Sequence, residues 1–253
     1  MRYLFVHAHP DDETLSSGAI ICCLVADGHQ CLVLTATRGE MGDPIPGVLQ
    51  PGEELGTARM RERAQALTAL GAEDAGWLGT IPNRVQGKPE RIYCDSGMTW
   101  LTPTYAGPSD AASPDSLYRA ELSEVAADVE AAVRHHGAEI VVSYDSRGGY
   151  GHPDHVRCHE ATVAVAAKLG LPCCEIVSDP EDNRIGGTHS SSMKWFGVPS
   201  THENLMAAHR AYRTQFFVDT ERVYHGGGQV TSVGYCQGLR RRESPCTLVE
   251  YGE

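Results

Sequence analysis

Nowhere in the 253 residues does apolar character run on for the roughly 18–20 positions that a membrane-spanning helix needs. Cys-x-x-Cys does not occur, and neither does a Gly-x-Gly-x-x-Gly turn, a phosphate-binding loop, an internal repeat or a low-complexity segment. Bases are scarce: 21 Lys and Arg stand against 33 Asp and Glu, a formal net charge of −12. Phosphate backbones are held by Lys and Arg, so nucleic acid is excluded as a substrate, and an anionic membrane surface with it. A neutral or cationic small molecule suits this balance better than a phosphorylated one. The opening Tyr3-Leu-Phe-Val6 run passes within a few residues into acids, too short for the apolar core of a secretory leader. The expected location is therefore the cytoplasm. Nine cysteines, two pairs of them adjacent in sequence (Cys22-Cys23 and Cys173-Cys174), then read as reduced packing thiols rather than a disulfide framework.

What the chain does have is a 41% hydrophobic fraction, enough length for one sizeable core, and twelve histidines. Short continuous apolar runs at 3–6, 31–35, 140–143 and 174–177 read as buried strands. Helical stretches at 15–27, 53–70, 116–136 and 154–169 separate them, each followed by a glycine, and a further helix fits 201–213. Alternation of this kind predicts a Rossmann-like α/β fold: an open, mostly parallel sheet flanked by helices. Residues 80–115, interrupted by five prolines, read as a long functional loop. We expect a core over 1–180 and a small C-terminal extension over 181–253 that shapes the substrate site, with a last strand at 246–251.

Open parallel sheets bind ligands at the carboxyl ends of their strands. Two loops at that edge repeat one pattern: His9-Pro10-Asp11-Asp12 after the first strand, and His152-Pro153-Asp154-His155 after the strand at 140–143. Proline holds the chain extended and then starts a helix, so the flanking side chains stand at the helix mouth. Residues three apart on a first turn share a side, so His9 with Asp12, and His152 with His155, can reach one ion. Two imidazoles and a carboxylate make an open metal set. Asp11 points elsewhere than Asp12 yet lies close enough to take a proton from water, which is what metal-assisted hydrolysis requires. Such a donor set does not separate zinc from ferrous iron.

These motifs resemble the zinc-dependent N-deacetylases related to the glycosylphosphatidylinositol deacetylase. Val6-His-Ala-His-Pro-Asp-Asp-Glu13, Leu55-Gly56 with Arg59, Asp95-Ser-Gly-Met98 and Gly148-Gly-Tyr-Gly-His-Pro-Asp-His155 carry the likeness across most of residues 3–170. It is strongest to the mycothiol-pathway branch, which contains the N-acetylglucosaminyl-inositol deacetylase and the mycothiol conjugate amidase. The resemblance implies one zinc ion per chain on His9, Asp12 and His155, with Asp11 as general base. It implies His152 and Tyr150 as donors to the tetrahedral oxyanion, and Arg59 and Asp95 as residues that hold sugar hydroxyls. The choice of His155 over His152 as ligand comes from the resemblance alone. The implied partner is a small N-acylated amino sugar or its conjugate. Cleavage of a larger thiol-conjugate amide and tailoring of a natural product are alternatives for the same machinery. A nucleotide-binding or carrier domain is a third reading, opposed by the missing glycine-rich turn after Val6.

The C-terminal third departs from the family. Ala211-Tyr212-Arg213-Thr214-Gln215 has tyrosine where relatives often carry histidine, and Ser190-Ser-Ser192 and Trp195-Phe196 have no counterpart. Of the remaining residues, His159 is expected against neighbouring packing, and His7 either behind the metal ligands or in the core. His135-His136 closes a helix, and Asp154 is expected to orient a histidine. Arg240-Arg241-Arg242 reads as a solvated face or as a contact between copies in a homo-oligomer.

Overall fold

The computed structural model describes residues 1–177, 193–199 and 202–242. In chain order the elements are β1 (Arg2–His7), α1 (Asp12–Leu15), α2 (Gly18–Ala26), β2 (Gln30–Thr35), α3 (Leu55–Leu70) and β3 (Glu73–Trp77). A hairpin follows, β4 (Met98–Thr102) and β5 (Tyr105–Pro108), then α4 (Leu122–His136), β6 (Ile140–Tyr144), α5 (Gly148–Gly151), α6 (Pro153–Leu169) and β7 (Cys173–Val177). The C-terminal part contributes β8 (Met193–Gly197), α7 (Glu203–Ala211), β9 (Phe216–Val218), β10 (Arg222–His225), β11 (Val230–Ser232) and β12 (Cys236–Arg241).

Seven strands form the central sheet in the order β3-β2-β1-β6-β7-β12-β8. The first five are parallel, and β12 runs antiparallel to both β7 and β8. Phe5 sits opposite Val33 on one side and Val142 on the other, so β1 is sandwiched between two apolar strands and needs no polar face. Leu4 and Val6 point into one core layer with Val125 and Val129 of α4 and Ala161 of α6. Phe5 points the other way, toward Ile20 and Ile21 of α2, Leu67 of α3 and Leu205 of α7. Helices therefore cover both faces, as the sequence predicts. Gly137 and Gly170 close α4 and α6 in the left-handed conformation, with φ of 60° and 66°.

Several boundaries differ from the sequence reading. The helix predicted over 15–27 is α2, which begins only at Gly18 because the chain turns at Ser16-Ser17 after the short α1. There the Ser17 hydroxyl meets His7 Nε2 at 2.9 Å, and a side chain at position 18 would strike Leu205. The helix expected from 116 begins at Leu122, after a 3₁₀ turn at Leu117–Arg119. Within 80–115 the loop folds back as the β4–β5 hairpin. β3 escapes the sequence reading because an edge strand needs little apolar content, and Glu73, Asp74 and Gly76 hide it.

The strand expected at 246–251 lies outside the described residues, as does the Ser190–Ser192 segment. Trp195 and Phe196 lie in β8. Arg240 is not a solvated residue: it lies in β12, and its guanidinium donates to the buried Glu175 at 2.9 Å. Among the described residues no helix is long and apolar enough to cross a membrane.

Candidate functional site

β1 has β2 on one side and β6 on the other, so the chain's crossovers diverge at the β1/β6 boundary. A crevice opens at the carboxyl ends of strands wherever the strand order reverses in this way. Both His-Pro-Asp loops leave from that point. Their side chains meet across it although they are more than 130 residues apart in sequence.

His9 Nδ1 lies 3.2 Å from Asp12 Oδ2 and 3.3 Å from His155 Nε2, and His155 Nε2 lies 3.3 Å from Asp12 Oδ1. Donors on a tetrahedral ion with bonds of about 2.0–2.1 Å stand roughly 3.3 Å apart, and these pairs have that spacing, with Asp12 meeting His9 through Oδ2 and His155 through Oδ1. Each histidine has its other nitrogen occupied. His9 Nε2 faces Asp154 Oδ2 at 3.3 Å, and His155 Nδ1 faces the Gly148 carbonyl at 3.2 Å. Carboxylate and carbonyl acceptors at those positions keep the inward nitrogens free as electron-pair donors. Asp12 is fixed by the Tyr144 hydroxyl at 2.6 Å and the His9 backbone N–H at 2.8 Å. The donor set fits a divalent metal ion.

Electrostatics point the same way. Burial alone would lower the His9 pKa, yet the carboxylates of Asp95, Asp12 and Asp154 raise it well above the ordinary imidazole value. Burial would raise Asp12, but His155 and His9 hold it well below the usual carboxylate range. A pocket that stabilises positive charge on His9 attracts a cation for the same reason.

Asp11 stands apart from this set. Its φ of 112° makes it the one non-glycine residue with a left-handed backbone among those described, a conformation costing about 1–3 kcal/mol that surrounding contacts must hold. The turn aims Asp12 at the histidines and Asp11 at Arg59, whose Nη2 donates to Asp11 Oδ2 at 2.8 Å. Burial, opposed by Arg59 and reinforced by Asp12, pushes the Asp11 carboxyl up to about 7. Arg59 is buried and also donates to the Pro10 carbonyl and, at 2.6 Å, to the Gly39 carbonyl. Asp95 Oδ1 lies 3.5 Å from His9 Nε2, and its carboxylate accepts from the Met41 and Gly97 N–H groups.

His152 caps α6: its Nδ1 accepts the Asp154 N–H at 3.2 Å, so a neutral ring carries its proton on Nε2. Burial, then the neighbouring His9 and His155, hold its pKa well below the ordinary value. Its ring centroid is 4.5 Å from that of His9 and 6.1 Å from that of Tyr150. His9, His152 and His155 also offer nitrogens within 4.8 Å of one another. The structure thus brings together His9, Asp11, Asp12, Asp95, Tyr150, His152 and His155, with Arg59 beneath Asp11.

Of the secondary expectations, Asp154 does orient a histidine, and the Ser96 N–H and hydroxyl anchor it in turn. His159 Nδ1 bonds the Tyr144 carbonyl at 2.8 Å, away from the cluster. His7, buried and pushed down to about 4 by burial, faces Ser17 and Tyr144. His136 ends α4 and meets Asn83.

Three contributors escaped the sequence reading. Tyr144 stacks on His155 at 4.0 Å, bonds Asp12 and takes the Ala8 N–H. Its place at the carboxyl end of β6 was the available signal. Glu13 accepts the Asp11 N–H at 3.2 Å, and Tyr212 of the C-terminal part donates to Glu13 at 2.7 Å. Nothing local in sequence links those last two.

Residues 4–166 match the family described as PIG-L, GlcNAc-PI de-N-acetylase. A 1D-myo-inositol 2-acetamido-2-deoxy-alpha-D-glucopyranoside deacetylase of Kineococcus radiotolerans is 46% identical over 164 residues, 64% of this chain and 44% of that protein. A similarly named deacetylase 1 of Catenulispora acidiphila is 32% identical over 229 residues, 88% of this chain and 64% of that protein. A deacetylase solved in complex with teicoplanin shares the fold, with a TM-score of 0.61 at 19% identity over 96% of this chain and 99% of that one. The chain spans about half the length of the curated relatives it matches. With the family match covering well over half of its residues, the chain belongs to the GlcNAc-PI de-N-acetylase family.

Proposed function

We propose that the chain is a metal-dependent amide hydrolase that removes the acetyl group from an N-acylated amino sugar, free or in a glycoside or other conjugate. The observation that carries this reading is the 3.2–3.3 Å triangle of His9, Asp12 and His155 beside a carboxylate, Asp11, that does not belong to it. Those three residues would hold one divalent ion, zinc by family and ferrous iron by donor chemistry. Such an ion, when bound, polarises a carbonyl and brings the pKa of water toward ~7.

The chain's own groups do the rest. Asp11, pushed up to about 7, is matched to accept a proton from water near neutral pH, and Arg59 keeps its carboxylate aimed. As that water adds to the amide carbon, the His152 Nε2–H donates to the developing oxyanion, with the Tyr150 hydroxyl as second donor. The proton held on Asp11 then passes to the nitrogen as the C–N bond breaks, giving acetate and a free amine. Asp95 and Arg59 are assigned to the sugar. Arg59 Nη1 and Nη2 are engaged by Gly39, Pro10 and Asp11, which leaves its buried Nε–H without a partner among the described residues.

Residues after 180 are assigned to shaping the sugar side. Support comes from Gln215 and Arg59, both of which crowd Gly42, and from the Ile45 N–H on the Thr214 carbonyl at 2.7 Å. The names of the relatives, acetamido-sugar deacetylases, favour this substrate class. The cytoplasm remains the assigned location, in keeping with the buried thiols Cys22, Cys31 and Cys173, each pushed up to about 12 by burial and so inert as nucleophiles.

The test is acetate release from a panel of N-acetyl amino sugars and their conjugates, with and without added zinc. Metal-dependent release from at least one amino sugar is expected. Full activity after exhaustive chelation, or no hydrolysis across the panel, overturns the reading.

A further inference from the structure

The β4–β5 hairpin follows directly from the Asp95-Ser-Gly-Met98 segment and leans over the site. Tyr105 packs against Gly151, where any side chain would strike its ring, and Arg147 lies 5.4 Å over the same ring. The hairpin is thereby fixed to the turn that carries Tyr150. Strand alternation sends Leu101 back over Gly107 and Trp100 toward Tyr150, with ring centroids 5.7 Å apart and planes inclined at 33°. Tyr150 in turn stands 5.3 Å from the His155 ring and 6.1 Å from His152.

A core packing role would bury these rings, yet Trp100 is 42% exposed and Tyr150 38%. Met41, 44% exposed, lies at the base of the hairpin, its Cε close over Gly97. Large apolar side chains left in water beside a polar cleft mark a place where something binds. The patch is also amphipathic. Neither the Tyr150 hydroxyl nor the Trp100 indole N–H is spent on a partner among the described residues. Flat apolar faces with free donors at their rims suit a ring that presents C–H bonds on its face and oxygens at its edge. An alkyl chain would leave the Trp100 indole N–H unused.

We infer that Trp100 and Tyr150 form a second-ring subsite, which stacks a sugar or cyclitol ring joined to the acylated amino sugar, with Trp100 as the specificity-determining residue. This rests on the amide-hydrolase reading of the adjacent site. The subsite lies beyond Tyr150 from the His9–Asp12–His155 triangle, so a one-ring substrate occupies the centre without reaching Trp100.

The test compares kcat/KM of the zinc-loaded protein for N-acetylglucosamine and for its β-1,4-linked dimer. The readout is the dimer-to-monomer ratio, in which any change at the reacting centre that both sugars share cancels. Trp100→Ala is expected to lower that ratio about tenfold, and Trp100→Phe, which keeps a flat face, to restore most of it. An unchanged ratio overturns the inference, as does a Trp100→Ala effect that follows the length of the acyl group instead of the second ring. If the wild-type protein releases acetate from neither sugar, the hydrolase reading is decided by the wider panel of N-acetyl amino sugars and conjugates, separately from the subsite. Calorimetry of both sugars then decides the subsite: a preference for the dimer that is lost in Trp100→Ala supports it, and equal binding of the two sugars rejects it.

Discussion

Two loops of identical opening sequence, His-Pro-Asp, reach the same crevice and do different things there. After Pro10 the chain enters a left-handed residue and a single helical turn, α1. After Pro153 it enters a regular helix of 17 residues, α6, with proline at its first position. The aspartate of the first loop, Asp11, is thrown sideways onto Arg59 and keeps part of its carboxyl reachable from the cleft. The aspartate of the second, Asp154, is drawn inward between Ser96 and His9 and is fully buried. The fourth residues, Asp12 and His155, converge on one point. Shared sequence sets which groups are available; the next turn of backbone decides which aspartate stands at the cleft and which is drawn in behind a histidine.

The sharpest way to break this comparison is at the point of convergence. His155→Ala removes one corner of the ligand triangle and is expected to take bound metal from near one per chain to near none, read by elemental analysis of the purified protein. Next is the first loop's aspartate. Asp11→Asn should retain the metal and lower kcat by about 10²–10⁴-fold, the usual contribution of a general base. Wild-type rates in that variant would remove Asp11 from the mechanism.

The second loop's aspartate should respond differently. Asp154→Asn is expected to weaken metal affinity by about 10–100-fold, because His9 loses the carboxylate that orients it, and a metal titration measures this directly. If Asp154→Asn instead abolished turnover with metal affinity intact, the two aspartates would have exchanged roles. The smallest effect concerns what only the first loop has, a tie to the C-terminal part. Tyr212→Phe takes a donor from the buried Glu13 and should cost about 1–3 kcal/mol of stability in denaturant unfolding.

Legibility in the sequence followed burial. β1, β2, β6 and β7 each carry a short apolar run because each lies between neighbouring strands, and those runs disclose them even with Glu175 inside β7. The edge strand β3 and the antiparallel β12 are not apolar runs. Arg240 in β12 reads as a surface residue until Glu175 is seen across the strand pair. At the site, the repeated motif discloses His9, Asp11, Asp12, His152 and His155. Tyr144, Glu13 and Tyr212 stay hidden, since a lone tyrosine or glutamate carries no pattern and acquires its role from a partner far along the chain.

The absences that open the sequence are facts of its composition: no long apolar run, no dinucleotide turn, fewer bases than acids. The sequence by itself determined the parallel sheet and the pool of candidate ligands, because periodicity and residue chemistry are local properties. Only the tertiary structure decided which nitrogen of each histidine faces inward, which aspartate stands clear of the ligand triangle, and that Trp100 lies open beside Tyr150. Those outcomes depend on strand order and on a strained turn held by Glu13 and Arg59, and both are fixed by contacts between segments that the sequence keeps far apart.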